Sequence, residues 1–268
     1  MRRVVLFLFL TMFLSSITVS PHNYESAQAA WPVFVPVLLY HHLAPQAESL
    51  HEHNPMVVTC EQFTKQMHYL RDNGYQTIDL AQLQGYLQGS AQLPAKPVMI
   101  TFDDGYQSFY QYAFPVLEEL DMKAVVFVIG ALAPDRDGEK TAAWCIHLSW
   151  PQMQELAASG RVEFGNHSYD LHRQVEGQPV MLECSAAAIK EDLSRLQSAC
   201  HAAGLPEPRA FAYPFGAHDA VIRQAAAEAG LCLGFTTEIG WVKPNADPMA
   251  LARLPVFPWT KLPSLLGG

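Results

Sequence analysis

KPVMITFDDGY, residues 96–106, joins the pattern of a buried strand to two adjacent carboxylates. The apolar run predicts a strand covered on both faces. On a regular strand Asp103 and Asp104 would point to opposite faces. If the two carboxylates instead came together in space, their repulsion would raise the pKa of at least one of them. Gly105 lets the backbone leave strand geometry, so both can reach one site, where a cation would remove the repulsion. An Asx turn would also explain D-D-G, but not the buried strand before it.

Outward from this strand, β-rich runs alternate with amphipathic stretches. The runs lie at 36–42, 75–78, 96–102, 124–130, 161–168, 209–216, 233–237 and 251–257. The helices between them start at capping residues such as Thr59, Asp79 and Ser149 and stop at glycines. This alternation predicts an α/β fold with parallel strands. Seven or eight units in roughly 240 residues favour a barrel over an open sheet.

Residues 1–29 have the pattern of a secretory signal peptide. Arg2 and Arg3 precede the apolar run Val4–Leu14, and Ala27-Gln28-Ala29 resembles a cleavage site. The alternative is an uncleaved membrane anchor, but this apolar core is much shorter than the roughly 20 residues that span a bilayer. We therefore expect a secreted or cell-surface protein whose folded domain is 30–268, with residual membrane anchoring as the alternative.

The net charge disfavours one class of binding partner, and the cysteine spacing disfavours two kinds of motif. The formal net charge is −9, which disfavours nucleic acid, because nucleic-acid binding needs a basic surface. Neutral or cationic glycans fit better, and no obligate protein partner is evident. The five cysteines form no C-x-x-C pair, which disfavours a zinc ribbon or a redox motif.

Polar clusters occur at four predicted strand ends, where a barrel carries its chemistry. They are Tyr40-His41-His42, Asp103-Asp104-Gly105, the loop from Asn166 to His172, and Tyr213-Pro214-Phe215-Gly216. His167 and His172 are five apart, so one helix face would not hold both, but a loop can bring them together. With the carboxylate of Asp104 they suit zinc or another first-row metal with open positions for water. Two solvent-bonded loop histidines are the alternative.

In this order and spacing, ITFDDGY (100–106), HSYDLH (167–172) and RAFAYPFG (209–216) resemble the motifs of the polysaccharide deacetylases, carbohydrate esterase family 4. PVLLYHH (36–42) and FTKQMHYLRDNGYQTI (63–78) resemble the branch that includes the poly-N-acetylglucosamine deacetylases. The resemblance implies a single-domain, distorted (β/α) barrel, often seven-stranded. It also implies metal-dependent removal of acetyl groups from a polysaccharide, with Zn²⁺ as the expected metal and Co²⁺ or Ni²⁺ as alternatives.

The resemblance also implies roles for individual residues. Asp103 matches the general base, Arg209 the arginine that pairs with it, and the backbone N–H of Tyr213 the oxyanion donor. The metal ligands would be Asp104, His167 and His172. Metal-bound water has a pKa lowered toward 7, Asp103 would accept its proton, and attack on the acetyl carbon would follow. The expected substrate groove is lined by Tyr106, Pro214, Phe215, Gly216 and Trp241.

Two departures from the family pattern matter. The histidines are five apart, as in the poly-N-acetylglucosamine branch, rather than four. The late Leu-x-His motif, whose histidine is the general acid in many members, is missing, since no histidine follows His218. His41 is the candidate acid, while His42 should point the other way. The alternative for His41 is a core histidine bonded to a backbone carbonyl.

Two other functions fit the same motifs. A glycan-binding protein without activity, or an O-deacetylase of the acetylxylan type, would fit the same motifs. A serine hydrolase is disfavoured because no G-x-S-x-G motif occurs. Trp241 could stack on a sugar or pack in the core, and Asp170 is expected to cap the histidine loop. The remaining tryptophans are assigned to packing: Trp31, Trp144, Trp150 and Trp259.

Overall fold

Our computed structural model describes residues 33–45, 54–137 and 146–267. The predicted signal peptide, residues 1–29, lies outside the described residues. The strands are, in chain order, β1 (Val37–Tyr40), β2 (His42–Ala44), β3 (Val57–Thr59), β4 (Gln76–Thr77), β5 (Pro97–Phe102), β6 (Ala124–Val128), β7 (Val162–Asn166), β8 (Gln174–Val175), β9 (Gln178–Pro179), β10 (Ala210–Ala212), β11 (Leu233–Ile239) and β12 (Leu251–Pro255).

Helices cover the connections between these strands. The α-helices are α1 (Cys60–Asp72), α2 (Leu80–Leu87), α3 (Phe114–Glu119), α4 (Trp150–Ala158), α5 (Ala186–Ala202), α6 (Ala220–Glu228) and α7 (Leu262–Leu265). A π-helical turn at Phe109–Ala113 leads into α3, which has Pro115 in its first turn. Among the described residues, no helix combines the length and apolarity needed to cross a membrane.

Seven strands close into a barrel. Their order is β1, β12, β11, β10, β7, β6 and β5, and β5 pairs again with β1. Every neighbouring pair in this ring is parallel. The predicted seven-stranded (β/α) barrel is therefore confirmed, and β4 adds a short parallel strand beside the start of β5.

Alternation along each strand separates the barrel interior from the layer under the helices. Val37, Met99 and Phe127 belong to an inner apolar cluster that Leu80 and Leu83 of α2 also join. Leu38 and other outward residues pack with the helices in a second cluster, and Phe211 of β10 packs with α5 and α6 in a third. Because all seven strands run in one direction, their carboxyl ends form one rim, and the four polar clusters meet there.

Local signals set the helix boundaries as expected. Thr59, Asp79 and Ser149 each accept a hydrogen bond from the backbone N–H three residues later. The long helix α5 begins at Ala186 because the Ser185 hydroxyl accepts from Ala188 N–H and caps it.

Candidate active site

The turn after β5 brings both aspartates to the rim. Asp104 has a left-handed backbone with φ of +72°, and Gly105 has the same φ. The departure from strand geometry thus starts at Asp104 itself, not only at the glycine. Ser168 and Phe215 at the same rim also have positive φ. Such conformations cost a non-glycine residue about 1–2 kcal/mol, and they concentrate at functional sites.

Asp104, His167 and His172 converge on one point. The Asp104 Oδ1 atom lies 3.4 Å from the Nε2 of His167 and 3.4 Å from the Nε2 of His172. One ligand atom from each residue lies within 4.8 Å of the other two. Asp104 Oδ1 is buried and has no hydrogen-bond partner among the described atoms. Two imidazole nitrogens facing an unsatisfied carboxylate oxygen fit a divalent cation with coordination positions left open.

Backbone contacts orient the histidine loop. The Nδ1–H of His167 donates to the carbonyl of Ala212 at 2.7 Å, so the Nε2 lone pair faces Asp104, as in metal-ligating histidines. The carboxylate of Asp192 accepts from the N–H groups of Tyr169 and Asp170 at 2.7 and 2.8 Å. Asp192, rather than the predicted Asp170, therefore caps this loop.

The electrostatic environment of the two histidines differs. Burial lowers the pKa of His172 to about 4, and the neighbouring His167 acts in the same direction. Burial also acts to lower the pKa of His167, but the carboxylates of Asp103 and Asp104 outweigh it and raise that pKa. Burial likewise opposes ionisation of Asp104, yet the neighbouring histidines hold its pKa well below the ordinary value. Asp104 is therefore an ionised carboxylate that faces the Nε2 atoms of both histidines.

Asp103 forms a bidentate ion pair with Arg253. The two guanidinium nitrogens lie 2.7 Å from the two carboxylate oxygens, and the arginine side chain is fully buried. Arg253 Nε also donates to the carbonyl of Thr236 at 2.9 Å. Burial acts to raise the pKa of Asp103, but Arg253 outweighs it and keeps that pKa low. Asp103 is thus an ionised, oriented carboxylate whose Oδ2 lies 4.0 Å from His167 Nε2.

Comparison with known proteins decides the family. The family described as polysaccharide deacetylase matches residues 90–233, more than half of the chain. The chain belongs to this family. This confirms the resemblance seen in the motifs and supports a hydrolytic carbohydrate deacetylase.

The similarity to individual relatives and solved structures extends beyond residues 90–233. The YxkH protein of Bacillus subtilis strain 168 is 31% identical over 239 residues, covering 87% of this chain and 77% of YxkH. The poly-β-1,6-N-acetyl-D-glucosamine N-deacetylase of Escherichia coli strain K12 is 27% identical over 253 residues, covering 83% of this chain but only 37% of that protein. The Streptococcus pyogenes deacetylase PplD, solved in complex with acetate, aligns with a TM-score of 0.75 at 25% identity, over 88% of this chain and 98% of PplD.

The arginine predicted from the family motif is wrong. Arg209 is exposed and precedes β10, at the amino end of the barrel, so it lies at the opposite end from Asp103. This polysaccharide deacetylase uses Arg253 of β12 to hold Asp103 instead. The strand LARLP did contain a signal, because Arg253 lies two residues after Leu251 and so on the same face of the strand, and a buried guanidinium needs an acidic partner.

The predicted oxyanion donor is also corrected. The backbone N–H of Tyr213 donates to the carbonyl of Phe235 at 3.0 Å, continuing the β10–β11 pairing, so it is not available to an oxyanion. The next residues, Pro214–Gly216, form a short turn at the rim. Phe215 is 42% exposed and its ring lies 4.4 Å from that of His172. A Cβ on Gly216 would lie 1.9 Å from the hydroxyl of Thr237, so this turn requires glycine.

The two histidines after β1 have different surroundings in this deacetylase. Burial lowers the pKa of His41, and the carboxylates of Asp104 and Asp103 oppose that shift, which places His41 among the site residues. His42 lies with its Nδ1 3.0 Å from the Ser108 hydroxyl. The expectation that the two imidazoles diverge agrees with this arrangement.

The two other predicted groove residues, Tyr106 and Trp241, are at least half-buried. Tyr106 is largely buried, with its ring 5.1 Å from that of His42 and 5.0 Å from that of His147. Trp241 is half-buried and packs against the outer core cluster. Their contact with a sugar stays a prediction.

Proposed function

We propose that this protein is a metal-dependent N-deacetylase that removes acetyl groups from an N-acetylglucosamine-containing polysaccharide. The observation that carries the proposal is the unsatisfied Asp104 Oδ1, 3.4 Å from each of two imidazole nitrogens, beside the Asp103–Arg253 pair. A glycan-binding surface needs no such set of ligands. Zn²⁺ is the expected cation, with Co²⁺ or Ni²⁺ as alternatives.

Each residue has a defined task in this scheme. Asp104, His167 and His172 would hold the cation, which when bound supplies an activated water and a Lewis acid for the acetyl oxygen. Asp103 takes a proton from the attacking water, because Arg253 keeps it ionised and oriented. Water adds to the acetyl carbon, the carbon–nitrogen bond breaks, and the products are acetate and an amine.

His41 is the proposed proton donor to the departing nitrogen. Burial lowers the pKa of His41, and the nearby carboxylates of Asp104 and Asp103 oppose that lowering. An imidazole is the usual side chain for proton delivery near neutral pH. His41 would replace the late family histidine that this chain lacks.

The substrate proposal follows the named relatives. The Escherichia coli relative acts on poly-β-1,6-N-acetyl-D-glucosamine, although this chain spans only about a third of its length. A secreted glycan such as an exopolysaccharide, peptidoglycan or chitin also agrees with the signal-peptide pattern of residues 1–29, which motivates the proposal that the protein acts outside the cytoplasm. Acetylxylan would be the O-acetyl alternative.

Acetate release from a panel of substrates tests the proposal. The panel contains oligomers of β-1,6-linked N-acetylglucosamine, chitin oligomers and acetylxylan oligomers. We expect release from a glucosamine oligomer, loss of release with a chelator, and recovery with Zn²⁺ or Co²⁺. Release that persists at full rate after chelation would contradict metal dependence, and release from acetylxylan alone would contradict N-deacetylation.

A glycan-binding protein without activity is the second candidate, favoured by the missing late histidine. It predicts oligomer binding, measured by calorimetry, without acetate release from any substrate. Asp104→Asn is the matched variant, because it should abolish acetate release under our proposal but leave glycan binding largely intact under the alternative.

A further inference from the structure

A stacked aromatic pair follows β12 at the rim, with Phe257 half-buried and Trp259 exposed. Trp259 is 70% exposed, so its assignment to packing was wrong. Its ring stacks on that of Phe257, with centroids 5.3 Å apart and planes 20° apart. Indole rings are enriched at interfaces because they combine a large apolar face with a polar N–H, so an exposed tryptophan on the catalytic rim is a candidate contact for the substrate.

The loop that presents this pair is fixed by hydrogen bonds. Phe257 N–H donates to the Thr260 hydroxyl at 2.8 Å, and Thr260 N–H donates to the Phe257 carbonyl at 2.9 Å. Gln62 and Gln66 of α1 each donate from Nε2 to the Thr260 carbonyl at 3.3 Å. Gln66 is held in turn by the Tyr40 hydroxyl at 2.9 Å. Trp259 therefore extends from a preorganised loop, which reduces the entropy lost on binding.

Strand register places the pair beside the candidate active site. Leu39 of β1 aligns with Pro255 of β12, and Val256 N–H donates to the Leu39 carbonyl at 2.9 Å. β1 ends at Tyr40 and β12 ends at Pro255, so His41 and Phe257 both follow the carboxyl ends of neighbouring strands. Because β5 flanks β1 on its other side, the strand that leads into Asp103 is two strands from β12, roughly 10 Å at the usual strand spacing.

A second exposed ring lies on another side of the same centre. Phe215 follows β10 and contacts His172, whereas Phe257 and Trp259 follow β12. Exposed aromatic rings thus flank the ligand cluster in two directions along the rim. A single acetylated sugar occupying the centre would leave the Trp259 face uncovered, while a polymer continuing across the rim would cover it.

We propose that Trp259, supported by Phe257, is a stacking platform for a second sugar residue of the polymer, next to the residue being deacetylated. The identity of that polymer rests on the proposed function. The apolar C–H face of a pyranose ring matches an indole face, and an indole gives a large contact area at a small entropic cost. The platform binds a ring by its face rather than by its acetyl group, so it selects for chain length.

Oligomer length provides the test. N-acetylglucosamine disaccharide and hexasaccharide are compared for wild type, Trp259→Ala and Trp259→Phe. We expect Trp259→Ala to lower kcat/KM for the hexasaccharide about tenfold, equal to about 1.4 kcal/mol, with a much smaller effect on the disaccharide. Trp259→Phe should keep most of the wild-type value, because a ring face remains. Equal losses on both substrates would overturn the platform.

Phe34→Ala is the matched control. Phe34 is an exposed aromatic residue, 45% accessible, that precedes β1 at the opposite end of the barrel. Its removal should leave both substrates unaffected, and thermal melts of all variants should overlay that of wild type, since both rings are exposed. A Phe34→Ala effect equal to that of Trp259→Ala would overturn the platform.

Binding of the hexasaccharide to chelator-treated protein, followed by calorimetry, separates this proposal from the proposed function. Binding that weakens about tenfold in Trp259→Ala, without acetate release by wild type, would support the platform and overturn the deacetylase assignment. Acetate release that is equal in both proteins on the hexasaccharide would do the reverse. A change in sedimentation of Trp259→Ala with unchanged oligomer binding would overturn the platform in favour of self-association.

Discussion

The two ends of the barrel treat their polar groups differently. At the amino end Glu163 accepts from Leu80 N–H at 2.9 Å, and Lys123 pairs with Asp79 at 2.8 Å, so each charge has a structural partner. At the carboxyl rim Asp104 Oδ1 and the Ser168 hydroxyl are buried without a hydrogen-bond partner among the described atoms.

The backbone shows this contrast only in part. Of the five non-glycine residues with positive φ in the described part of the chain, Asp104, Ser168 and Phe215 lie at the rim, but Asp121 precedes β6 at the amino end. A barrel builds its site from the loops after its strands and its stability from the other end. The rim thus holds side chains in costly positions that the surrounding strands enforce.

Loss of a cation ligand should have the largest effect. Asp104→Asn should lower acetate release more than about 10⁴-fold, because water activation and charge stabilisation both depend on the cation. Glu163→Gln, at the amino end, should retain wild-type activity. Acetate assays at saturating substrate check both, and comparable losses would break the distinction between the two ends.

His41 comes next. His41→Ala should lower turnover about 100-fold while the metal content is unchanged, because only the proton donor is lost. His42→Ala should have a much smaller effect, since its imidazole contacts Ser108 instead. Turnover and metal content are measured on the same samples. Unchanged turnover in His41→Ala would show that His41 is not the proton donor.

Substitution of Arg253 at the rim and of Arg209 at the amino end should change the free energy of unfolding by different amounts. Arg253→Gln leaves Asp103 buried without its counter-charge, so the free energy of unfolding should fall by about 3–5 kcal/mol. Arg209→Gln should change it by no more than about 0.5 kcal/mol, because Arg209 is exposed. Urea denaturation of both variants measures the difference, and equal values would contradict the assigned pairing.

Removing Arg253 should also shift the pH profile. In the wild type the pKa of Asp103 lies below its ordinary value, so stability from its pair is present above the unfolded pKa and is lost as the pH falls through the folded one. In Arg253→Gln burial acts without that counter-charge, so the pKa rises. The acid limb of kcat/KM should therefore move to higher pH, while the limb of Arg209→Gln stays in place.

The smallest expected effect concerns backbone strain. Ser168→Gly should raise the free energy of unfolding by about 1 kcal/mol, because glycine accepts φ of +72° without penalty. Ser159→Gly, at the end of α4, should lower it by about 1 kcal/mol, because Ser159 has ordinary helical φ and its hydroxyl accepts from Arg161 N–H at 3.1 Å. Equal signs in thermal melts would argue against stored strain at the rim.

Sequence patterns predicted the barrel because each strand and helix is marked locally. Caps such as Thr59 and the apolar run before Asp103 depend only on nearby residues. The convergence of Asp104 with His167 and His172 was predictable because parallel strands share one rim.

The errors involve contacts that local pattern does not encode. Arg253 and Asp103 are 150 residues apart, so only strand order brings them together, whereas the sequence motif points to Arg209, which lies just before YPFG. The N–H of Tyr213 looked available because strand register was unknown. Trp259 was assigned to packing because composition does not tell an exposed tryptophan from a buried one.

Direct titration of metal into chelator-stripped protein tests the central claim. Calorimetry with Zn²⁺ should show one high-affinity site per chain in the wild type, lost in Asp104→Asn and retained in Glu163→Gln, with activity recovering in proportion to site occupancy. A wild-type protein that binds no Zn²⁺, Co²⁺ or Ni²⁺, or that binds Zn²⁺ equally after Asp104→Asn, would contradict the assignment of Asp104, His167 and His172 as a metal site.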